Sequence, residues 1–107
     1  MSMTSFAEGV YTVVRTIPCG RVTTYQAVAH ALGCRAYRAV GGALAKNPYA
    51  PQVPCHRVVR SDGTLGGFGG ATDTTEKRAL LKAEGIRFDG DQIRDFDRVY
   101  VDVTHQE

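Results

Sequence analysis

Two segments with helical spacing, Tyr25 to about Leu32 and Tyr37 to about Lys46, flank a short turn containing Gly33. Thr24 is placed to cap the first, Gly33 ends it, and Asn47-Pro48 stops the second. Two short helices joined through such a turn form a helix-turn-helix pattern, a pairing that many all-α domains share as a plain helical hairpin. The second helix is short of bulk: Ala39, Val40, Gly41, Gly42, Ala43 and Ala45 leave one face almost bare. Adjacent glycines inside a helix cost roughly 1 kcal/mol each relative to alanine, so the face serves a close approach, to another helix or to a nucleic-acid backbone.

The rest of the chain supplies a frame for this pair. Ser5-Phe6-Ala7-Glu8 fits a capping box, and Phe6, Val10, Val13, Val14 and Ile17 recur at helical spacing, predicting a first helix from Ser5 to about Thr16. Arg21-Val22-Thr23 reads as an extended connection, and residues 48–60 as extended or irregular. Asp73-x-x-Glu76 opens a fourth helix to about Glu84, stopped by Gly85. Ile86-Arg87-Phe88, Gln92-Ile93 and Val99-Tyr100-Val101 read as short strands. The expected architecture is one mainly α domain with short β segments, winged-helix-like, over residues 1–107. A chain this long buries roughly 60–70% of its unfolded surface, enough for one modest core.

Composition narrows the function. Residues 1–60 carry seven Arg/Lys against a single acid, Glu8, whereas residues 61–107 carry six bases against ten acids. A basic, acid-poor half attracts phosphates, and six of its seven bases are arginine, suited to bidentate contacts. A solvated surface with an acidic tail is the alternative on charge alone. No apolar run approaches the roughly 20 residues of a membrane span. No signal peptide is visible at the N-terminus, and three cysteines without a C-x-x-C point to a reducing compartment, cytoplasmic or nuclear. Cys19, Cys34, His30 and His105 offer no matched ligand set, so neither a metal nor a cofactor is expected.

The most specific run is Pro54-Cys55-His56-Arg57-Val58-Val59. An imidazole beside Cys55 and a guanidinium two residues on can both stabilise a thiolate. Neighbours in an extended segment point to opposite faces, which disfavours a direct Cys55–His56 pair and favours a bridging water. A carboxylate would orient the imidazole, and Glu84, at a helix end, is a candidate.

This run resembles the acceptor-cysteine motif of the O6-alkylguanine-DNA alkyltransferases, also called methylated-DNA–protein-cysteine methyltransferases. Gly20-Arg21-Val22-Thr23-Thr24-Tyr25 is similar to that family's lead into its helix-turn-helix, Arg38-Ala39-Val40-Gly41-Gly42-Ala43 to its recognition helix, and Asn47-Pro48 to its hinge. The resemblance runs from about residue 5 to Gly85.

It implies that Cys55 accepts the alkyl group, activated by His56 through a water, with Glu84 completing the relay. It implies that Tyr25 helps rotate the nucleotide out and protonates the departing guanine. Arg38 would fill the gap in the base stack, while Ala39, Gly41, Gly42 and Ala43 lie in the minor groove. Asn47 would hold the hinge, Arg57 would be among the DNA contacts, and Tyr25, Val58, Gly67, Phe68 and Gly69 would form the base pocket. The implied partner is double-stranded DNA containing O6-alkylguanine, met by a monomer.

The chain departs from the family in three ways. The resemblance begins at about residue 5, so the family's N-terminal domain is expected to be absent, as in the short alkyltransferase-like proteins that bind alkylguanine and recruit excision-repair proteins. Unlike those relatives, which carry tryptophan or alanine at the acceptor position, this chain keeps Cys55. Phe68 stands where the family has tyrosine, and Gly69 offers no side-chain donor. Three readings remain: self-alkylating repair, which the motifs favour, lesion sensing without transfer, and plain winged-helix DNA binding in regulation.

Overall fold

A computed structural model describes residues 3–46, 52–65 and 75–103. Helix α1 (Met3–Val14) buries Val10, Val13 and Val14, the stripe anticipated from their spacing. It starts two residues before Ser5, which therefore lies inside the helix and is not its cap. Nothing in Met3-Thr4 interrupts a helix, so the backbone continues toward the N-terminus.

Strand β1 (Thr23–Thr24) leads directly into α2 (Tyr25–Ala31). Thr24 has extended backbone and its Oγ1 accepts from the Ala27 N–H at 3.0 Å, the cap its position predicts. Gly33, at φ 76°, turns the chain, and α3 (Tyr37–Ala45) follows. Val40 and Leu44, four residues apart, are the buried side of α3. The Tyr11 hydroxyl of α1 donates to the Ala43 carbonyl at 2.8 Å and pins α3 to the first helix. The three helices share one core with Val53, Val58 and Val103.

Residues 55–57 form a single 3-10 turn (Cys55–Arg57) within the stretch expected to be extended or irregular. Pro54 accepts from the Arg57 N–H at 2.9 Å, and this local bond curls the chain just before β2 (Val58–Val59). Strand β2 pairs in parallel with β1, Thr23 opposite Val58 and Thr24 opposite Val59. Because successive strand residues face opposite ways, Val58 enters the three-helix core. Val59 enters a second core with Val22, Leu65, Leu81, Ile86 and Ile93.

Helix α4 (Thr75–Ala83) contributes Leu81 to that second core, and Gly85, at φ 94°, ends the turn after it. Strands β3 (Phe88–Asp89) and β4 (Gln92–Ile93) form an antiparallel hairpin. Val99, expected in a strand, ends a short helix α5 (Phe96–Val99). Phe96 and Val99 both pack on the second core, and a spacing of three puts both on one side of a helix but not of a strand. Tyr100 then bridges in parallel to Val22, as the extended reading of that residue anticipates. The chain is thus mainly helical with short strands. Among the described residues no helix is long and apolar enough to cross a membrane.

Candidate active site and nucleic-acid interface

The 3-10 turn, the start of α2 and the end of α4 converge. His56 is buried, and its Nε2 lies 2.7 Å from Glu84 Oε2. Glu84, the candidate carboxylate, is thereby joined to the imidazole, although 28 residues separate them in the chain. The carboxylate has two further partners. Arg57 grips it through Nε at 2.9 Å and Nη2 at 2.8 Å, and the Gly20 N–H donates to Oε1 at 3.2 Å. Burial pushes the Glu84 carboxyl up, but the hydrogen bonds from Arg57, His56 and Gly20 outweigh it and pull the group down to about 2.

An ionised Glu84 accepts from His56 Nε2–H, which leaves Nδ1 for other partners. Cys55, one residue away and partly exposed, is a free thiol, as are Cys19 and Cys34. Only Cys55 shares a turn with this imidazole.

Arg57, placed by the resemblance among the DNA contacts, is instead turned inward. Its Nη1 donates to the Ile17 carbonyl at 2.8 Å while Nε and Nη2 hold Glu84, and its side chain is 17% exposed. It ties the end of α1, the 3-10 turn and the end of α4 together. Val58 likewise offers no side chain to a pocket, because that side chain is in the core. Its carbonyl is the polar group it presents, and Lys77 Nζ donates to it at 2.7 Å.

Tyr25 opens α2 and is half-buried. Its ring lies beside Gly41, where a Cβ would sit 3.9 Å from Cε1, an ordinary contact. Burial pushes the Tyr25 hydroxyl up from its usual value, and the charge of Cys55 adds to the rise. The same hydroxyl accepts from Lys77 Nζ at 3.2 Å.

Lys77 was not singled out from the sequence, although a signal for it exists. It stands four residues before Leu81 on the buried side of α4, so a lysine occupies an apolar position.

The outer face of α3 carries Arg38, Ala39 and Gly42, all exposed, beside Tyr37. Among the described residues a Cβ at Gly42 would meet nothing within 4 Å, so packing against them does not require glycine there. Gly41 and Ala43 are half-buried, one against Tyr25 and the other bonded through its carbonyl to Tyr11. Asn47, Gly67, Phe68 and Gly69 lie outside the described residues. Among the described residues, no group of three His, Cys, Asp or Glu side chains is placed to hold a metal ion.

Residues 5–86 match the family model described as "6-O-methylguanine DNA methyltransferase, DNA binding domain". The chain is 46% identical over 82 residues to the "Bifunctional transcriptional activator/DNA repair enzyme Ada" of Escherichia coli, covering 76% of this chain and 23% of that protein. It is 41% identical over 87 residues to a "Methylated-DNA--protein-cysteine methyltransferase" of Methanothermobacter thermautotrophicus, covering 81% and 48%. The chain thus spans about half the length, or less, of these curated relatives.

Among solved structures, Schizosaccharomyces pombe Atl1 in complex with damaged DNA containing O6-carboxymethylguanine superposes with a TM-score of 0.80 at 27% identity, over 94% of this chain and 98% of that one. Mycobacterium tuberculosis OGT in complex with DNA superposes with a TM-score of 0.68 at 38% identity, over 92% and 54%.

Proposed function

The chain belongs to the 6-O-methylguanine DNA methyltransferase family, and we propose that it moves an alkyl group from guanine O6 in duplex DNA to its own Cys55. The observation that carries this reading is the 2.7 Å His56–Glu84 bond beside a free thiol in the same turn. Glu84 orients the ring, so that Nδ1 can take the Cys55 proton through a bridging water. The thiolate Sγ then attacks the alkyl carbon in line. The carbon–O6 bond breaks, its electron pair stays on the guanine, and the Tyr25 hydroxyl supplies the proton that neutralises the base. A thioether has no route back, so one molecule repairs one lesion and no cofactor takes part.

Reaching O6 requires the nucleotide to leave the stack, at a cost of a few kcal/mol. Arg38, exposed on α3, fills the gap, and the bare face at Ala39 and Gly42 lets the helix approach the minor groove closely. The minor groove distinguishes little beyond A·T from G·C, so binding follows the lesion and tolerates sequence context. Phosphate contacts by the basic half make affinity fall with salt, by a log–log slope of about −0.9 per phosphate neutralised. A reducing compartment that holds DNA, bacterial cytoplasm or nucleus, keeps Cys55 a thiol.

One observation favours a second reading. The likeness to Atl1 covers nearly the whole of both chains. A lesion sensor of the alkyltransferase-like kind would bind O6-alkylguanine and recruit excision-repair proteins without transfer. A peptide map after incubation with O6-methylguanine duplex separates the two. Transfer predicts an adduct on Cys55 and none on Cys19 or Cys34. Lesion binding with no adduct on Cys55 gives the sensor reading.

A further inference from the structure

Arg60 directly follows β2 and is exposed, and its side chain makes no hydrogen bond or ion pair with a described residue. Its backbone is nonetheless fixed. The Arg60 N–H donates to the Thr64 carbonyl at 2.9 Å, and the Arg60 carbonyl accepts from the Gly63 N–H at 2.9 Å. The parallel register sets Thr24 opposite Val59, so one step further Tyr25 stands across from Arg60. Neighbouring strands lie roughly 4.8 Å apart, well within the reach of an arginine side chain. Val59 enters the second core, and alternation turns Arg60 the other way, to the side on which Tyr25 and Cys55 pack.

The charge of Arg60 is felt at the site. Burial pushes the Tyr25 hydroxyl up, and the Arg60 guanidinium pulls against that rise. The acid in its field, Asp62, is engaged elsewhere: its Oδ1 accepts from the Thr64 N–H at 3.0 Å and from Thr64 Oγ1 at 2.6 Å. Arg21 and Arg57 differ, being committed to the Arg98 carbonyl at 2.7 Å and to Glu84 and the Ile17 carbonyl. Arg60 thus stands beside the site with no carboxylate among the described residues bonded to it.

We infer that Arg60 is a specificity-determining residue that binds a backbone phosphate of the extruded nucleotide, and meets it only when that nucleotide has left the stack. A nucleotide turns about its backbone to enter a pocket, so its flanking phosphates are drawn to the pocket mouth. A guanidinium matches a phosphate through a fork of N–H donors. A phosphate contact on stacked duplex positions the protein and carries no preference for a lesion. One made by the extruded nucleotide alone favours the extruded state and offsets part of the unstacking. Arg38 on α3 and Arg60 after β2 then act from two sides, one filling the gap and the other holding the nucleotide that left it. The inference rests on the extrusion step of the proposed function, which transfer and sensing share.

The test uses the full chain, as wild type and Arg60→Gln, with Arg94→Gln as a control on the far hairpin. The probes are O6-methylguanine duplexes with a neutral methylphosphonate in place of one or the other phosphate flanking the lesion, and the same duplexes with guanine. Wild type loses about 10-fold or more in affinity for lesion duplex at one of the two positions. Arg60→Gln loses as much on the unmodified lesion duplex and nothing further at that position, because the pair is already broken. Its log–log salt slope on lesion duplex is flatter than that of wild type by about 0.9. On guanine duplex its affinity stays within about 2-fold of wild type. Arg94→Gln follows wild type throughout.

Equal losses on lesion and guanine duplex make Arg60 a general phosphate contact and overturn the inference. So do additive losses in Arg60→Gln at both positions. A wild type indifferent to both neutral phosphates overturns it as well, and that result needs no variant to fold. In each of these cases a lesion preference in wild type leaves the proposed function standing. Wild type that binds O6-methylguanine duplex no tighter than guanine duplex overturns extrusion itself, and the role of Arg60 with it.

Discussion

His56 Nε2 meets Glu84 Oε2 at 2.7 Å, and the Arg57 guanidinium holds both oxygens of that carboxylate, Nε on Oε1 at 2.9 Å and Nη2 on Oε2 at 2.8 Å. Neighbours in sequence thus converge on one acid. The 3-10 turn makes this possible, because a strand would send the two side chains to opposite faces.

Glu84→Gln keeps the shape of the side chain and removes its charge. The variant is expected to transfer about 10²-fold slower. It should lose about 1–3 kcal/mol of stability, because the Arg57 donors lose an ionised acceptor. Urea unfolding and adduct formation measure the two effects. Unchanged stability and rate would show that Glu84 does not orient His56.

Acid stability carries the same signature. Glu84 titrates at about 2 in the folded chain against an ordinary 4.5. Between those values the unfolded chain binds more protons, so stability rises with pH. The contribution is full above about 4.5 and is lost as pH falls toward 2. Asp62 and Asp89, held low by Thr64 and Arg94, act in the same direction. Urea midpoints of Glu84→Gln across this range should therefore slope less steeply than wild type. Parallel slopes would remove Glu84 from the acid response.

Gly42→Ala separates folding from binding. A Cβ there meets nothing within 4 Å among the described residues, so helix propensity should raise stability by about 0.5–1 kcal/mol. Affinity for lesion duplex should fall, because in the proposed complex the added methyl would stand on the face that approaches the groove. Thermal unfolding and a binding titration read the two signs. A rise in stability with affinity unchanged would take Gly42 off the interface.

Arg38→Ala should weaken binding to lesion duplex well beyond Arg94→Ala. Arg38 is exposed on α3, and in the proposed complex it would offset a loss of stacking of a few kcal/mol. Arg94 is paired with Asp89 at 2.7 Å on the far hairpin. Equal losses, measured against undamaged and lesion DNA, would reduce Arg38 to a phosphate contact.

Much of the frame was legible because its determinants are local. Thr24 as a cap, Gly33 as a stop and the Val10-Val13-Val14 stripe each act within one turn of chain. Glu84 was reachable as a candidate from its helix-end position, but its bond to His56 is a tertiary fact. The inward turn of Arg57 depends on Ile17 and Glu84, distant residues that no spacing rule brings together. Lys77 escaped notice because lysine is ordinarily solvated, and only the register of Leu81 hints otherwise. The Val99 helix was missed because β-branched residues suggest a strand, while packing of Phe96 and Val99 on one core selects the helix.

The most direct test of the central claim is intact-mass spectrometry of the protein after incubation with excess O6-methylguanine duplex, with Cys55→Ala in parallel. Irreversible self-alkylation predicts that wild type gains a single methyl group and then stops, while Cys55→Ala binds the lesion and gains none. An unmodified wild-type mass at full lesion occupancy, or an equal gain by Cys55→Ala, would contradict transfer to Cys55.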